Sequence, residues 1–297
     1  MSTVILLAVT GLGLGALYFL VASGLSLIYG VMRILNFAHG AFLTVGGYLG
    51  YEVGVHAGVH ARSWPVFVVM LAVGAIAGTI LAMLVEILLI RRLYQREIEQ
   101  VLVTVGLGLA AVALVTGIWG PDTRPMPSPS WMARTTSIIG AAVPNVCFAC
   151  IAASVVVLIA LQFLLARTRY GLIIRAGVEN RSMVAALGID VRRTFTAVFM
   201  LGGGLAGFGG VLTALYNSAL SPAMGDSLLI FAFIVVVIGG LGSVTGSAIA
   251  AAAVAILQQF ANYYTTSGVG DLIVVAALAA VLLVRPGGLS GRQVRLA

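Results

Sequence analysis

Three polar residues, Arg33, Asn36 and His39, lie within seven positions of an otherwise apolar stretch, in "VMRILNFAHGAF". An asparagine amide and a neutral imidazole can each both donate and accept hydrogen bonds. One interpretation is an ordinary helix start, with Asn36 as N-cap, His39 as a hydrogen-bonded inner residue and Gly40 for packing. The other is that Asn36, His39 and Gly40 line a translocation path through a membrane, or the inner gate of that path.

Few other residues have types and spacing suited to chemistry. Cys147 and Cys150 form a C-x-x-C pattern, but no second pair of ligands accompanies it, which favours small packing residues over a redox or metal site. Glu86 lies well inside an apolar segment, five and six residues before Arg91 and Arg92, which favours either an ion pair or snorkelling of the charged side chain near the end of that segment. No nucleophile–base pair or metal cluster is visible, so we expect neither an enzyme nor a metal site.

The composition predicts that these residues lie in a membrane protein. Of 297 residues, 61% are hydrophobic and 8% are charged, against about 25% charged in a typical soluble domain. About 20 apolar residues in a helix cover the hydrocarbon core of a bilayer, and only a helix satisfies its own backbone there. The predicted fold is an all-α polytopic membrane protein, a single transmembrane domain over residues 1–297 with about eight or nine transmembrane helices.

The basic residues exclude two classes of function. The chain has 16 arginines, no lysine and a net charge of +7. Once the apolar segments are set aside, no basic surface remains for nucleic acid. A nucleotide-binding P-loop needs a lysine to contact the phosphates, so this chain cannot form one. We therefore expect no cofactor on this chain, and any ATP that it depends on must be hydrolysed by partner subunits.

Nine apolar segments alternate with polar loops. The segments are residues 4–31, 34–53, 64–90, 101–120, 144–166, 195–216, 227–241, 244–264 and 268–284. Arginines concentrate in residues 91–100, in residues 167–193 and after Val284, and basic loops of membrane proteins lie in the cytoplasm. The loops 54–63 and 121–143 then face outward, with the N-terminus outside and the C-terminus inside.

Small residues repeat at every fourth position of the sixth segment. Gly202, Ala206 and Gly210 form one row, and Gly203 and Gly207 form a parallel one. Rows of this kind let transmembrane helices approach closely. The pattern predicts that this segment is packed tightly against its neighbours.

The longest predicted cytoplasmic loop, residues 167–193, has a helical pattern of its own. Apolar residues including Ile174, Val178 and Leu187 can form one face of a short amphipathic helix over about 173–187. Gly188 suits the position that ends such a helix. The helix could lie at the membrane interface, or it could dock on a cytoplasmic partner.

The sequence from Arg175 to Leu212, "RAGVENRSMVAALGIDVRRTFTAVFMLGGGLAGFGGVL", resembles the cytoplasmic-loop signature of the branched-chain amino-acid ABC transporter permeases. "GLSLIYGVMRILNFAHGAFLTVGGY" resembles the N-terminal signature of that family, and "VVVIGGLGS" its late one. The three occur in the family's order and span nearly the whole chain. Two departures, Glu179-Asn180 in place of an acidic pair and "SVTGS" near residue 245, leave the substrate open.

The resemblance implies a permease subunit of a binding-protein-dependent importer, multi-pass in the inner membrane of a bacterium. Its partners would be a second permease subunit, two cytoplasmic ATPase subunits, an extracytoplasmic substrate-binding protein and membrane lipid. The solutes would be branched-chain or related amino acids, or small carboxylates and amides. The loop would hold a coupling helix that docks on an ATPase through Arg175, Ala176, Glu179, Asn180, Ala185, Leu187 and Gly188. The alternative function is an ion-coupled secondary transporter of small solutes.

Overall fold

The computed structural model describes residues 2–58, 60, 63–94, 96–168, 171–173, 190–266 and 268–290. Within them, nine long α-helices follow one another, one on each apolar segment predicted from the sequence. They are α1 (Ser2–Met32), α2 (His39–Ala57), α3 (Trp64–Leu88), α4 (Glu97–Trp119), α5 (Asn145–Arg167), α6 (Val191–Asn217), α7 (Met224–Gly239), α8 (Val244–Tyr264) and α9 (Val269–Val284). A short 3-10 helix, Ile90–Leu93, lies between α3 and α4.

Most of these helices have the length and composition of membrane spans. Among the described residues, six helices are long and apolar enough to cross a membrane: α1, α3, α4, α5, α6 and α8. The apolar helices α7 and α9 have 16 residues each, and α2 has 19, including a glutamate and two histidines. The prediction of an all-α polytopic membrane protein is confirmed.

Short strands, which the sequence analysis did not predict, form in the loop between α4 and α5 and just after α6. The strands β2 (Thr135–Ile138) and β3 (Ala141–Pro144) make an antiparallel hairpin. Its two turn residues, Ile139 and Gly140, both have positive φ, as the tight turns that match the twist of a hairpin require. The strand β1 (Arg124–Pro125) pairs with β4 (Ala219–Leu220), which fastens the loop to the segment after α6.

The helices α1 to α9 alternate in direction, so that their ends collect at two sides of the bundle. At one side Gly30 of α1 lies against Gly242 in the turn between α7 and α8, and Leu289 donates a backbone hydrogen bond to Ile238. The 3-10 helix and the start of α6 lie at the same side, where Arg91 contacts Thr196. We call this side the arginine-rich end. β1 to β4 lie at the opposite end.

The helix α6 is the centre of the packing, with α1, α2 and α3 around it. The predicted rows of small residues lie at these contacts. A Cβ atom added at any of the four glycines of these rows would overlap a neighbouring helix. The helix that each glycine faces is α1 for Gly202 (at Ile28 and Gly24), α3 for Gly203 and Gly207 (at Gly78 and Gly74), and α2 for Gly210 (at the carbonyl of Leu43). Close packing of this segment is confirmed, because no larger side chain fits between the backbones.

Candidate functional site

The polar stretch at residues 33–39 joins α1 to α2 without a continuous helix. The backbone of Arg33 has a φ of +57°, and its amide donates to the carbonyl of Tyr29 at 2.9 Å, which ends α1. The side-chain oxygen of Asn36 accepts from the amide of Ala38 at 3.1 Å. The N-cap residue of α2 is Ala38 rather than Asn36. Asn36 therefore closes the turn before the helix, since its side chain reaches only two residues ahead.

His39, the first residue of α2, contacts the middle of α1. Its Nε2 lies 3.1 Å from the carbonyl oxygen of Val21, and a carbonyl only accepts, so Nε2 must donate. Val21 lies eleven residues before the end of α1, which is about 16 Å along the helix axis. A helical link from Arg33 predicts only about 9 Å. The difference arises because the link is not helical and reaches farther per residue.

Gly40 brings the start of α2 against the start of α7. A Cβ on Gly40 would lie 2.8 Å from the carbonyl oxygen of Gly225, and the amide of Gly225 donates to Thr44 Oγ1 at 3.0 Å. Two helices thus begin side by side in the interior of the bundle, each after a non-helical segment. Broken helices whose N-termini meet near the middle of a membrane are how secondary transporters build sites for anionic groups.

The polar atoms of this region are buried and partly unpaired. Asn36 and His39 are both 0% exposed. Asn36 Nδ2 and His39 Nδ1 have no hydrogen-bond partner in the described part of the chain. A buried polar atom without a partner is costly, so it needs a structural or functional explanation. The structure brings Asn36, His39 and Gly40 together but does not expose them, and their role in a translocation path stays a prediction.

Arg33, the other polar residue of the stretch, is separated from this pair. It is exposed at the arginine-rich end. It borders a polar cavity of about 230 Å³ that is also lined by Tyr94, Glu97 and Gln100. Arg33 therefore lies in different surroundings from Asn36 and His39. Their closeness in the sequence did not reveal this difference.

The predicted coupling residues Arg175, Ala176, Glu179, Asn180, Ala185, Leu187 and Gly188 lie outside the described residues. The two ends of their loop are described. At the first, Thr168 Oγ1 donates to the carbonyl of Leu164 at 2.6 Å, just past the end of α5. At the second, Asp190 caps α6 by accepting from the amides of Arg192 and Arg193 at 3.0 and 3.2 Å. This cap explains why α6 begins at Val191 rather than at residue 195.

Glu86 forms the predicted ion pair with Arg91 and, in addition, binds two residues that the sequence analysis missed. The carboxylate is 0% exposed and accepts from Arg91 Nη2 at 3.1 Å. It also accepts from the hydroxyl of Tyr94 and from Thr196 Oγ1 at 2.8 Å. The spacing of Tyr94, eight residues after Glu86 in a polar linker, was a weak signal. Thr196 had no sequence signal, because it lies 110 residues away.

A second hydrogen-bond chain links α1, α8 and α9 and runs from the buried Tyr18 to the exposed Asp271. The hydroxyl of Tyr18 donates to Gln258 Oε1 at 2.7 Å, and Gln258 Nε2 donates to Asp271 Oδ1 at 2.7 Å.

Cys147 and Cys150 are buried free thiols, and Cys147 packs against the backbone of Gly13, as expected of small packing residues. The described residues contain no group of three His, Cys, Asp or Glu side chains that could hold a metal ion.

Long apolar helices and polar groups collected in the bundle interior define the class of this protein, a multi-pass α-helical membrane protein. The profile of the family described as "Branched-chain amino acid transport system / permease component" matches residues 7–284. The chain belongs to this family, as the sequence signatures predicted. Because the family consists of transport components, the chain is a transport protein and not an enzyme.

Three permease proteins from other organisms are similar in sequence to this chain over almost its full length. The high-affinity branched-chain amino acid transport system permease protein LivH of Salmonella typhimurium is 25% identical, over 95% of this chain and 94% of its own. The probable branched-chain amino acid transport permease protein LivH of Methanocaldococcus jannaschii is 28% identical, over 92% and 88%. BraD, the corresponding permease protein of Pseudomonas aeruginosa, is 25% identical, over 96% and 94%. No solved structure matches the chain significantly.

Proposed function

We propose that this chain is a membrane-spanning permease subunit of a binding-protein-dependent ABC importer in the inner membrane of a bacterial cell. The observation that carries the proposal is the family match over residues 7–284. The relatives named above are permease proteins of branched-chain amino-acid transport systems. A chain without lysine cannot supply a P-loop. We propose that two cytoplasmic partner subunits hydrolyse the ATP, as the resemblance to the family implies.

The proposed solutes are branched-chain or related amino acids, or small carboxylates and amides. They are delivered by an extracytoplasmic binding protein and cross between this chain and a second permease subunit. Asn36, His39 and Gly40 contribute to the path or its inner gate in a conformation that opens their surroundings. Support for this comes from the unpaired Asn36 Nδ2 and His39 Nδ1 atoms and from the meeting of the α2 and α7 N-termini.

The proposed contact with the ATPase subunits is the coupling segment, residues 167–193. The helix α5 ends and the helix α6 begins at the arginine-rich end, where the positive-inside rule places the cytoplasm. Gly188 would need a left-handed backbone to end the coupling helix, which a β-branched residue adopts only at a cost of about 1–3 kcal/mol. Glu179 would lie on the docking surface.

The experiment is ATP hydrolysis by complexes reconstituted in nanodiscs, with and without binding protein loaded with leucine. We expect Gly188→Val and Glu179→Arg to insert and assemble normally but to lose the stimulation by loaded binding protein. Glu99→Arg is the matched control, because Glu99 is an exposed acid at the same end of the bundle. Full stimulation in both coupling variants would exclude this loop as the transmission contact.

If the chain were instead an ion-coupled secondary transporter, solute uptake into proteoliposomes would have a different energy source. Such a transporter would take up solute along an ion gradient without ATP, and it would need an intramembrane acid free to bind the ion. Glu86 is fully buried at the end of α3 and already accepts hydrogen bonds from three side chains. Uptake that persists without ATP and stops when the ion gradient is collapsed would support this alternative and contradict the importer.

A further inference from the structure

The two helices that flank the coupling segment are held in very different ways. An apolar groove of about 690 Å³ separates the second half of α5, from Val157 onward, from α3 and α6. By contrast, α6 packs directly on α1, α2 and α3 through glycine contacts at Gly202, Gly203 and Gly207. The half of α5 nearest the coupling segment therefore lacks the direct backbone contacts that α6 makes with the core of the bundle.

The start of α6 is joined to two other segments at the carboxylate of Glu86. Thr196, in the second turn of α6, donates to Glu86 Oε2 at 2.8 Å. Arg91, in the 3-10 helix, donates to the same oxygen at 3.1 Å and also to Thr196 Oγ1 at 2.8 Å. Tyr94 donates to the other carboxylate oxygen. One side chain thus ties α3, the linker 90–94 and α6 together.

The hydrogen bonds to the Glu86 carboxylate make the connection between α3, the linker 90–94 and α6 rigid. Hydrogen bonds to an ionised group are stronger and more directional than neutral ones, and they gain further strength where water is excluded. An arginine guanidinium is always charged in proteins, and the hydrogen bond with Glu86 raises the pKa of Arg91 further. The ring of Tyr94 also packs edge-on against Phe195, with ring centres 5.4 Å apart.

We propose that Glu86 is a positioning residue for coupling: its carboxylate locks the first turns of α6 to α3 and to the 90–94 linker. A movement imposed on the coupling segment by the ATPase subunits then turns α3, the 90–94 linker and α6 as one unit. The inference rests on the proposed function, because it assumes that residues 167–193 receive the motion. It adds that the motion is carried by the helix after the coupling segment, and that Glu86 and Thr196 are needed for it.

The test uses the complete complex in nanodiscs and compares two matched pairs of variants. Glu86→Gln removes the charge and replaces one acceptor oxygen by a donor, while Arg91, whose side chain is 34% exposed, can turn to water. Its control is Glu52→Gln, an acid that accepts from Trp119 at the opposite end. Thr196→Val removes one hydroxyl. Thr213→Val removes another on the same helix, and that hydroxyl makes no hydrogen bond to any described residue. Thr196→Ser keeps the hydroxyl and should restore function.

We expect Glu86→Gln to lower the increment of ATP hydrolysis caused by loaded binding protein by about tenfold, the order expected for loss of a buried charge-assisted hydrogen bond. Thr196→Val should lower it about threefold, because Glu86 keeps its hydrogen bonds from Arg91 and Tyr94 when the hydroxyl is lost, with basal hydrolysis and the amount of bound ATPase unchanged. Normal stimulation in Glu86→Gln and Thr196→Val would overturn the inference, and so would equal losses in Thr213→Val and Glu52→Gln. Absence of stimulation in the unsubstituted complex would overturn the proposed function and the inference together.

Discussion

One methyl group added at Gly24, where α1 crosses α6, tests how closely these two helices pack. A Cβ atom there would lie 2.6 Å from the carbonyl oxygen of Gly202 and 3.0 Å from Cε1 of His39. The first of these neighbours is backbone, which cannot turn aside as a flexible side chain can. Gly24→Ala should therefore push α1 and α6 apart and disturb the ring of His39.

The size of the effect follows from these distances. Ordinary van der Waals contact begins near 3.4 Å, so the helices must separate by about 0.8 Å at the crossing. A gap of this size forfeits about a quarter to a half of the dispersion energy of each contact, and overpacking in a dense core costs about 1–3 kcal/mol. A loss of about 2 kcal/mol in the free energy of unfolding lowers the Tm by about 4–8 °C.

The assay is thermal unfolding of the purified chain, followed with a dye that fluoresces on reacting with thiols. Both cysteines, Cys147 and Cys150, are buried and free, so they report unfolding directly. Gly106→Ala is the matched control, because among the described residues no atom beyond its own helix backbone lies within 4 Å of a Cβ at Gly106. We expect its Tm to stay the same or to rise slightly, since alanine favours helix. An unchanged Tm in Gly24→Ala would refute the packing argument.

Three further predictions concern topology, the polar stretch and the thiols. Reporter fusions after Arg96 should give a cytoplasmic signal and those at Ser128 an outside signal, because arginines concentrate at one end of the bundle; reversed signals would contradict the topology. His39→Leu should reduce ATP-driven uptake in proteoliposomes while leaving assembly nearly normal, because it removes a buried polar group at the proposed path; undiminished uptake would assign His39 a structural role. A membrane-impermeant maleimide should leave Cys147 and Cys150 unmodified until the protein is denatured, as followed by mass spectrometry, and modification of the native protein would contradict their burial.

Helix number and placement were predictable from the sequence because the requirement is local. A helix that crosses a bilayer needs about 20 apolar residues whatever its neighbours are. All nine predicted segments coincide with helices in the described residues. The ion pair of Glu86 with Arg91 was also predictable, because its partners are five residues apart. The family signatures added the transport function, which no periodicity could supply.

Only the tertiary structure decided which helices meet and at what depth. Apolar content does not specify a partner, so neither the contact of Gly40 with Gly225 nor the bond between Glu86 and Thr196 could be derived from local patterns. The depth of His39 depended on a non-helical link whose length per residue the sequence does not fix. Hydrophobicity determined that the chain folds as helices in a membrane, and specific long-range contacts determined how those helices place the polar groups.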